Sequence, residues 1–238
     1  MTIPNDSPTP PAAWAIFVDF DGTITDLDTF DILVKRFAGD DAWRRTEIGL
    51  EDGSMSLRDV LQLQASYVRG TFAEVAAILR AEITIDPSFA VFVAGAQARG
   101  IAVTIVSSGI APIIADRLGA IGLGALPIIA NEIDPAPTGW SIRFRDADGN
   151  GTDKAAILRA AKAAGTRTIF FGDGRSDYAA ALVADRTFAK SGLALERYLG
   201  ERGVPFAAFT TFADIDLDRI IGEFAVMKPL ARSSLGDT

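Results

Sequence analysis

Two aspartates one residue apart, Asp19 and Asp21, stand at the end of an unbroken apolar run, Trp14 to Val18, and Gly22 and Thr23 follow them. A run without alternation predicts a strand buried on both faces, the habit of parallel sheets. Side chains alternate along an extended chain, so Asp19 and Asp21 are expected on one side, with Gly22 allowing a sharp turn. Two carboxylates in one pocket repel each other unless a cation sits between them or one holds a proton. The pair therefore suggests a hard-metal site, an acid/base pair, or both. A second acidic cluster, Asp173 and Asp177, surrounds a glycine turn after another apolar run, Thr168 to Phe171. One such cluster alone reads as an acidic turn, whereas two at equivalent strand ends point to function.

Absences narrow the chemistry further. The 238 residues include no histidine and no cysteine, which excludes a phosphohistidine, a cysteinyl phosphate, a Ser-His-Asp triad and a His/Cys zinc site. Catalysis has to rest on carboxylates, Lys, Arg, Ser, Thr, Tyr and an oxygen-ligated metal. A formal net charge of -8 with no basic stripe disfavours nucleic acid as a partner. Apolar residues make up 49% of the chain, enough for a sizeable core. The longest apolar region, Ile101 to Ala130, is broken by Ser107-Ser108-Gly109, Pro112 and Asp116-Arg117, so no membrane span is expected. Met1 to Pro11 lacks the basic region and apolar core of a secretory signal, and a cytoplasmic location is the expectation that follows.

The elements that must position these residues can be read in order. Residues 1–13 are expected to be a flexible lead-in, followed by the first strand and a short connection to Asp28. From Thr29 to Glu82 the periodicity is helical, with Phe30, Leu33, Val34 and Phe37 on one face and Leu57, Val60, Leu61 and Val68 on another. Ser56 with Asp59, and Thr71 with Glu74, fit capping boxes at two of these helix starts. Residues 29–85 thus read as a small helical cap inserted after the first strand, with residues 14–28 and 86–227 forming the core and residues 228–238 a loose tail. In the core, Phe89 to Gly100 reads as a helix and Ile101 to Val106 as a strand ending in the turn Ser107-Ser108-Gly109, before a helix that Pro112 can begin. Free amides at a helix start beside a hydroxyl make an anion-binding corner, although Ser-Gly turns are common without one. Strands are expected at Ala125 to Ala130, Arg186 to Ala189 and Pro205 to Phe209, and a hairpin or extended excursion between Ile133 and Asn150. Thr152-Asp153 caps a helix to Gly165 and puts Lys154 in its first turn, where taken alone it reads as a surface lysine. Strands alternating with helices define a three-layer α/β fold around a parallel sheet, whose ligands bind beyond the carboxyl ends of the strands.

The string Asp19-Phe20-Asp21-Gly22-Thr23-Ile24-Thr25 resembles the first motif of the haloacid dehalogenase superfamily, most members of which are phosphatases that work through an aspartyl-phosphate. Ser107, Lys154 and Gly172-Asp173-Gly174-Arg175-Ser176-Asp177 are similar to its other three motifs in order and spacing. The resemblance implies a Rossmann-like core and hydrolysis of a small phosphorylated metabolite, with Asp19 as nucleophile and Asp21 as general acid and base. It implies Mg2+ held by Asp19, Asp173 and the Asp21 backbone carbonyl, with Asp177 in the outer shell or bonded to Lys154. Ser107 and Lys154 would hold phosphoryl oxygens, with Thr23, Ser108 and Gly109 beside them as phosphate-binding positions. Neither nucleic acid nor a membrane is implied as a partner, and a homodimer is the assembly the reading allows.

A cap directly after the first motif is similar to phosphoserine phosphatases and to the methionine-salvage phosphatases acting on 2-hydroxy-3-keto-5-methylthiopentenyl-1-phosphate. Ser54 to Arg58 and Thr187 to Leu193 look more like the latter group, although its Cys-bearing insertion is absent here. Where phosphoserine phosphatases carry a Glu and an Arg for the amino acid, this chain has Asp28 and Gln62, which counts against phosphoserine. Arg58 is the candidate to contact substrate from the cap instead. Outside hydrolysis, the rival is a receiver-like signalling domain that stores a phosphoryl group on Asp. Receivers are about half this length and capless, and the order D-x-D-G-T favours turnover.

Overall fold

The computed structural model describes residues 13–146 and 151–222. The flexible lead-in expected at residues 1–13 falls almost wholly outside them, and the loose tail at residues 228–238 does so entirely. Seven strands form one sheet in the order β4-β3-β2-β1-β5-β6-β7. Its members are β1 (Trp14–Val18), β2 (Ala102–Ile110), β3 (Ile128–Asp134), β4 (Ser141–Arg143), β5 (Arg167–Gly172), β6 (Arg186–Lys190) and β7 (Ala207–Phe209). All neighbours are parallel except the edge pair β3 and β4, which makes the antiparallel excursion expected after Ile133.

Four helices follow β1: α1 (Thr29–Ala38), α2 (Asp40–Glu51), α3 (Leu57–Tyr67) and α4 (Phe72–Glu82). The remaining helices are α5 (Phe89–Ala98), α6 (Ala111–Gly119), α7 (Lys154–Ala163), α8 (Tyr178–Val183), α9 (Ala194–Glu201) and α10 (Leu217–Ile221). Side-chain alternation in β1 accounts for the layering. Ile16 and Val18 enter an apolar cluster with Phe89 and Phe92 of α5, Leu118 of α6 and Ile220 of α10. Phe17 faces the opposite cluster, built with Leu158 of α7, Ala180 of α8 and Leu199 of α9. A strand buried on both sides has no use for alternating polar residues, which is why its sequence is an apolar run.

The helical insertion packs into a second apolar cluster, in which Phe30, Leu33, Leu61, Val75 and Leu79 meet Ile110 of β2, Ile113 of α6, and Trp140 and Ile142 of the β4 excursion. Both capping boxes form at its helix starts, with Asp59 N donating to Ser56 Oγ and Glu74 N to Thr71 Oγ1. Its two connections to the core pair with each other through an antiparallel bridge between Thr25 and Ile85.

At three places the structure departs from the sequence reading by more than two residues. Ser107-Ser108-Gly109 is not a turn: β2 continues to Ile110, and because Val106 pairs with Ile129 while Ile110 pairs with Asn131, it bulges there. Strand β3 begins after Pro127, so Asn131 and Glu132 lie within it, because a proline cannot donate to the ladder. Helix α10 was not anticipated, since five residues are too few to show a helical period.

Candidate active site

Register brings the acidic clusters together. Val18 at the end of β1 is level with Ile105 of β2 on one side and Phe171 of β5 on the other, and Asp19 N donates to Phe171 O at 2.9 Å. Asp19, Asp21, Ser107 and Asp173 therefore line one cavity of about 460 Å³ at the carboxyl end of the sheet, and the insertion supplies the opposite wall.

Asp19 is 4% exposed. Its Oδ1 accepts from Phe20 N at 2.7 Å and lies 2.8 Å from Lys154 Nζ, while Oδ2 meets no hydrogen-bond donor among the described residues. Burial and the neighbouring charge of Asp177 raise its pKa to about 7 against the downward pull of Lys154. Asp21 turns away from that pair. Its Oδ1 accepts from Thr29 N at the start of α1 at 2.9 Å, and Oδ2 faces Gly109, where a Cβ would stand 2.6 Å away. Loss of solvent, then the charge of Asp28, pushes the Asp21 carboxyl well above the ordinary range. Both causes favour the neutral form of the carboxyl over the charged one.

Lys154 is not the surface residue its place in a first turn suggests. It is 2% exposed, and Nζ donates to Asp177 Oδ1 at 2.6 Å and to Ser176 Oγ at 3.0 Å besides its contact with Asp19. Burial works against the ammonium, but the charges of Asp177 and Asp19 outweigh it and hold the proton more firmly than usual. Asp177, fully buried, spends its other oxygen on the amides of Asp173 and Gly174 at 2.9 and 3.0 Å. At the end of β5, Asp173 accepts from Thr23 Oγ1 at 2.8 Å on Oδ1, and its Oδ2 has no donor among the described residues. Burial and the charges of Asp177 and Asp19 raise its pKa well above the ordinary value.

One carboxylate oxygen each from Asp19, Asp173 and Asp177 lie within 4.8 Å of one another, an arrangement that could hold a metal ion. The donors fit a hard dication, since all are oxygens and two present an oxygen without a donor. Asp177 is better suited to orientation, because Lys154 and two amides already occupy both its oxygens. The Asp21 carboxylate is not part of this group.

The remaining sequence candidates divide. Ser107 lines the cavity, and its Oγ accepts from Gly109 N at 2.9 Å, which leaves the hydroxyl hydrogen for a ligand. Gly109 lines the cavity beside Asp21. Ser108 also lines it, yet its buried hydroxyl oxygen has no partner among the described residues and lies 3.2 Å from where a Cβ at Gly151 would stand. Thr23 was expected at the phosphate; instead it is fully buried behind the site, and its hydroxyl holds Asp173. Arg58 was expected to face the substrate. Its guanidinium instead donates to Asp146 O at 3.1 Å and lies over the Phe144 ring at 4.2 Å, because it sits on the side of α3 turned to the β4 excursion. Gln62 turns the same way and accepts from Ile142 N. The face of α3 toward the cavity carries Leu57, Val60, Leu61 and Gln64, and α1 and α2 add Asp31, Glu47 and Glu51 next to Asp28. Those acids were missed because charged residues on helices ordinarily face solvent. Ser176 was missed although it lies inside the motif, where its spacing from Asp173 and Asp177 was the available signal.

This α/β core, with an insertion after its first strand and carboxylates from two strand ends around a lysine, is the architecture of a phosphoryl-handling hydrolase. Residues 16–182 match the profile of the haloacid dehalogenase-like hydrolases, and the chain belongs to that family. It is 34% identical over 216 residues to the polyol phosphate phosphatase PYP1 of Saccharomyces cerevisiae, covering 84% of this chain and 90% of that protein. It is 32% identical over 212 residues to a 2-hydroxy-3-keto-5-methylthiopentenyl-1-phosphate phosphatase of Brevibacillus brevis, covering 84% of this chain and 92% of the relative. A phosphoserine phosphatase solved as a phospho-aspartyl intermediate analogue superposes with a TM-score of 0.65 at 18% identity, covering 88% of this chain and 98% of the other, a likeness of fold alone. The chain is accordingly a phosphatase of the haloacid dehalogenase kind. Among the described residues no helix is long and apolar enough to cross a membrane.

Proposed function

We propose that the chain releases phosphate from a small phosphorylated metabolite in the cytoplasm, with Asp19 as nucleophile, Asp21 as general acid and base, and Mg2+ as cofactor. The observation that carries this reading is the state of the Asp19 carboxylate. One oxygen is anchored by Lys154 and the Phe20 amide, the other meets no donor among the described residues, and Asp19 lines a cavity that Asp21 also lines. On this reading an Asp19 oxygen bonds to phosphorus as the ester oxygen departs, and Asp21 gives that oxygen its proton. Water then attacks the aspartyl-phosphate, Asp21 recovers a proton from it, and phosphate leaves with Asp19 restored. Ser107 would donate its hydroxyl hydrogen to a phosphoryl oxygen, and Lys154 would steady charge around Asp19. Bound Mg2+, held by the Asp19 and Asp173 carboxylates and the Asp21 backbone carbonyl, would offset the repulsion between an anionic nucleophile and an anionic phosphate.

Residues 29–85 would act as the cap that closes the cavity and reads the leaving group. The relatives named for polyol phosphate and methylthiopentenyl phosphate support a small, uncharged leaving group. The test is phosphate release from a generic aryl phosphate by purified protein. Wild type should be active with Mg2+ and inactive after EDTA, and D19N should be inactive under both conditions. A D19N variant as active as wild type would overturn the assignment.

A further inference from the structure

Lys190, the last residue of β6, points into the space behind the acidic cluster. Its Nζ donates to Thr23 O at 3.0 Å. Thr23 is fully buried in the turn after β1, and its hydroxyl donates to Asp173 Oδ1 at 2.8 Å. A single residue thus receives a bond from the lysine on its carbonyl and passes one to the carboxylate from its side chain. The half-buried ammonium faces Asp86, Asp173 and Asp214 and lies 5.2 Å from the centre of the Phe209 ring. A lysine at a strand end beside solvent could extend outward; here it is held inward against the desolvation that such a position costs.

We propose that Lys190 is a positioning residue for the metal site: by fixing Thr23, it holds Asp173 on Oδ1 so that Oδ2 stays directed at a divalent cation. The proposal rests on the reading of Asp19 and Asp173 as cation ligands. Partners behind a ligating carboxylate orient it, and losing one weakens metal affinity by about 10–100-fold. Lys190 does not line the cavity with Asp19 and Asp21; its hydrogen-bonded route to the site runs through Thr23, beside the charge it presents to Asp173.

The test is calorimetric titration of Mg2+ into the metal-stripped full chain, for wild type, K190M, T23V and the double variant. K190M is expected to weaken Mg2+ binding about tenfold or more, T23V by a similar factor, and the double variant little beyond the weaker single. Residues that act in series are non-additive, whereas a lysine serving the fold alone would leave the T23V effect unchanged. K190R, which keeps a charged donor, should recover most of the affinity. Should K190M fail to fold, K190Q, one atom too short to span to Thr23, replaces it. Wild-type affinity in a folded K190M or K190Q, or losses that multiply in the double variant, would overturn the inference. No Mg2+ binding by wild type would instead remove the reading of the metal site, and the inference with it.

Discussion

Lys154 Nζ bridges Asp19 and Asp177, 2.8 Å from one carboxylate and 2.6 Å from the other, with its side chain sealed from solvent. The ammonium joins a residue at the end of β1 to one beyond β5, so the two acidic clusters share a single cation.

The first prediction concerns that bridge. Lys154→Met leaves two buried carboxylates without their partner, and removing one side of such a contact costs about 3–5 kcal/mol. Urea denaturation of K154M should show a loss of that order, together with loss of activity. A K154M midpoint equal to that of wild type would show that the bridge contributes nothing to stability.

Gly109 offers a way to disturb Asp21 most strongly, with Ser107 Oγ the next atom in reach, 3.2 Å from where a Cβ would stand. A methyl group there would stand 2.6 Å from Asp21 Oδ2, within contact distance of an atom that proton transfer needs in place. Gly109→Ala should keep the thermal midpoint within a few degrees while kcat falls by about 10–100-fold, since small misplacements of a catalytic group are expensive. Unchanged kcat would argue that Asp21 takes no part in proton transfer.

The wall contributed by the insertion carries Asp31, Glu47 and Glu51, with Asp28 at its entrance. Asp28 caps α1, and the loss of solvent in the cavity and the charge of Asp31 raise its pKa to about 6. Carboxylates accept hydrogen bonds and repel anions. Phosphomonoesters with hydroxyl-rich leaving groups should therefore be turned over better than those bearing a carboxylate, and the double variant D28N/E47Q should narrow the kcat/KM ratio several-fold. A ratio unmoved by the double substitution would show that these acids do not read the leaving group.

A pH-dependent contribution to stability is expected from Asp185, at the far end of the sheet. Burial pushes its carboxyl up, but the Lys162 bond at 2.7 Å and donors from Thr168 outweigh it and hold the pKa below the ordinary value. A folded pKa below the unfolded one gives stability that is present above the unfolded value, near 3.9, and is lost as pH falls through the folded value. The stability gap between wild type and D185N should be open at pH 7 and close progressively below pH 4. A gap independent of pH would show that charge at Asp185 is not its source.

The floor of the site was legible in the sequence because its constraints are local. A doubly buried strand ending in D-x-D-G, and a second ending in G-D-G, bring Asp19 to the level of Gly172, next to Asp173, once Val18 pairs with Phe171. Lys154 was not legible as a buried residue, since a lysine in a first turn looks solvent-facing until two carboxylates from other strands are brought over it. Thr23 was misread because the turn in which Thr23 N and Ile24 N both donate to Phe20 O rotates the chain behind the site. Arg58 illustrates the helical case: Leu57 and Leu61 reach the cavity, and at about 100° per residue their neighbour is carried round to Phe144. Lys190 and the acids of the insertion depend wholly on tertiary packing, which periodicity does not encode.

The central claim is that Asp19 becomes esterified to phosphorus during each turnover. A crystal of the protein soaked with Mg2+ and beryllium fluoride tests it most directly. The account predicts the fluoride adduct bonded to an Asp19 carboxylate oxygen, with the cation between Asp19 and Asp173. An adduct seated elsewhere, with the Asp19 carboxylate bare, would contradict it.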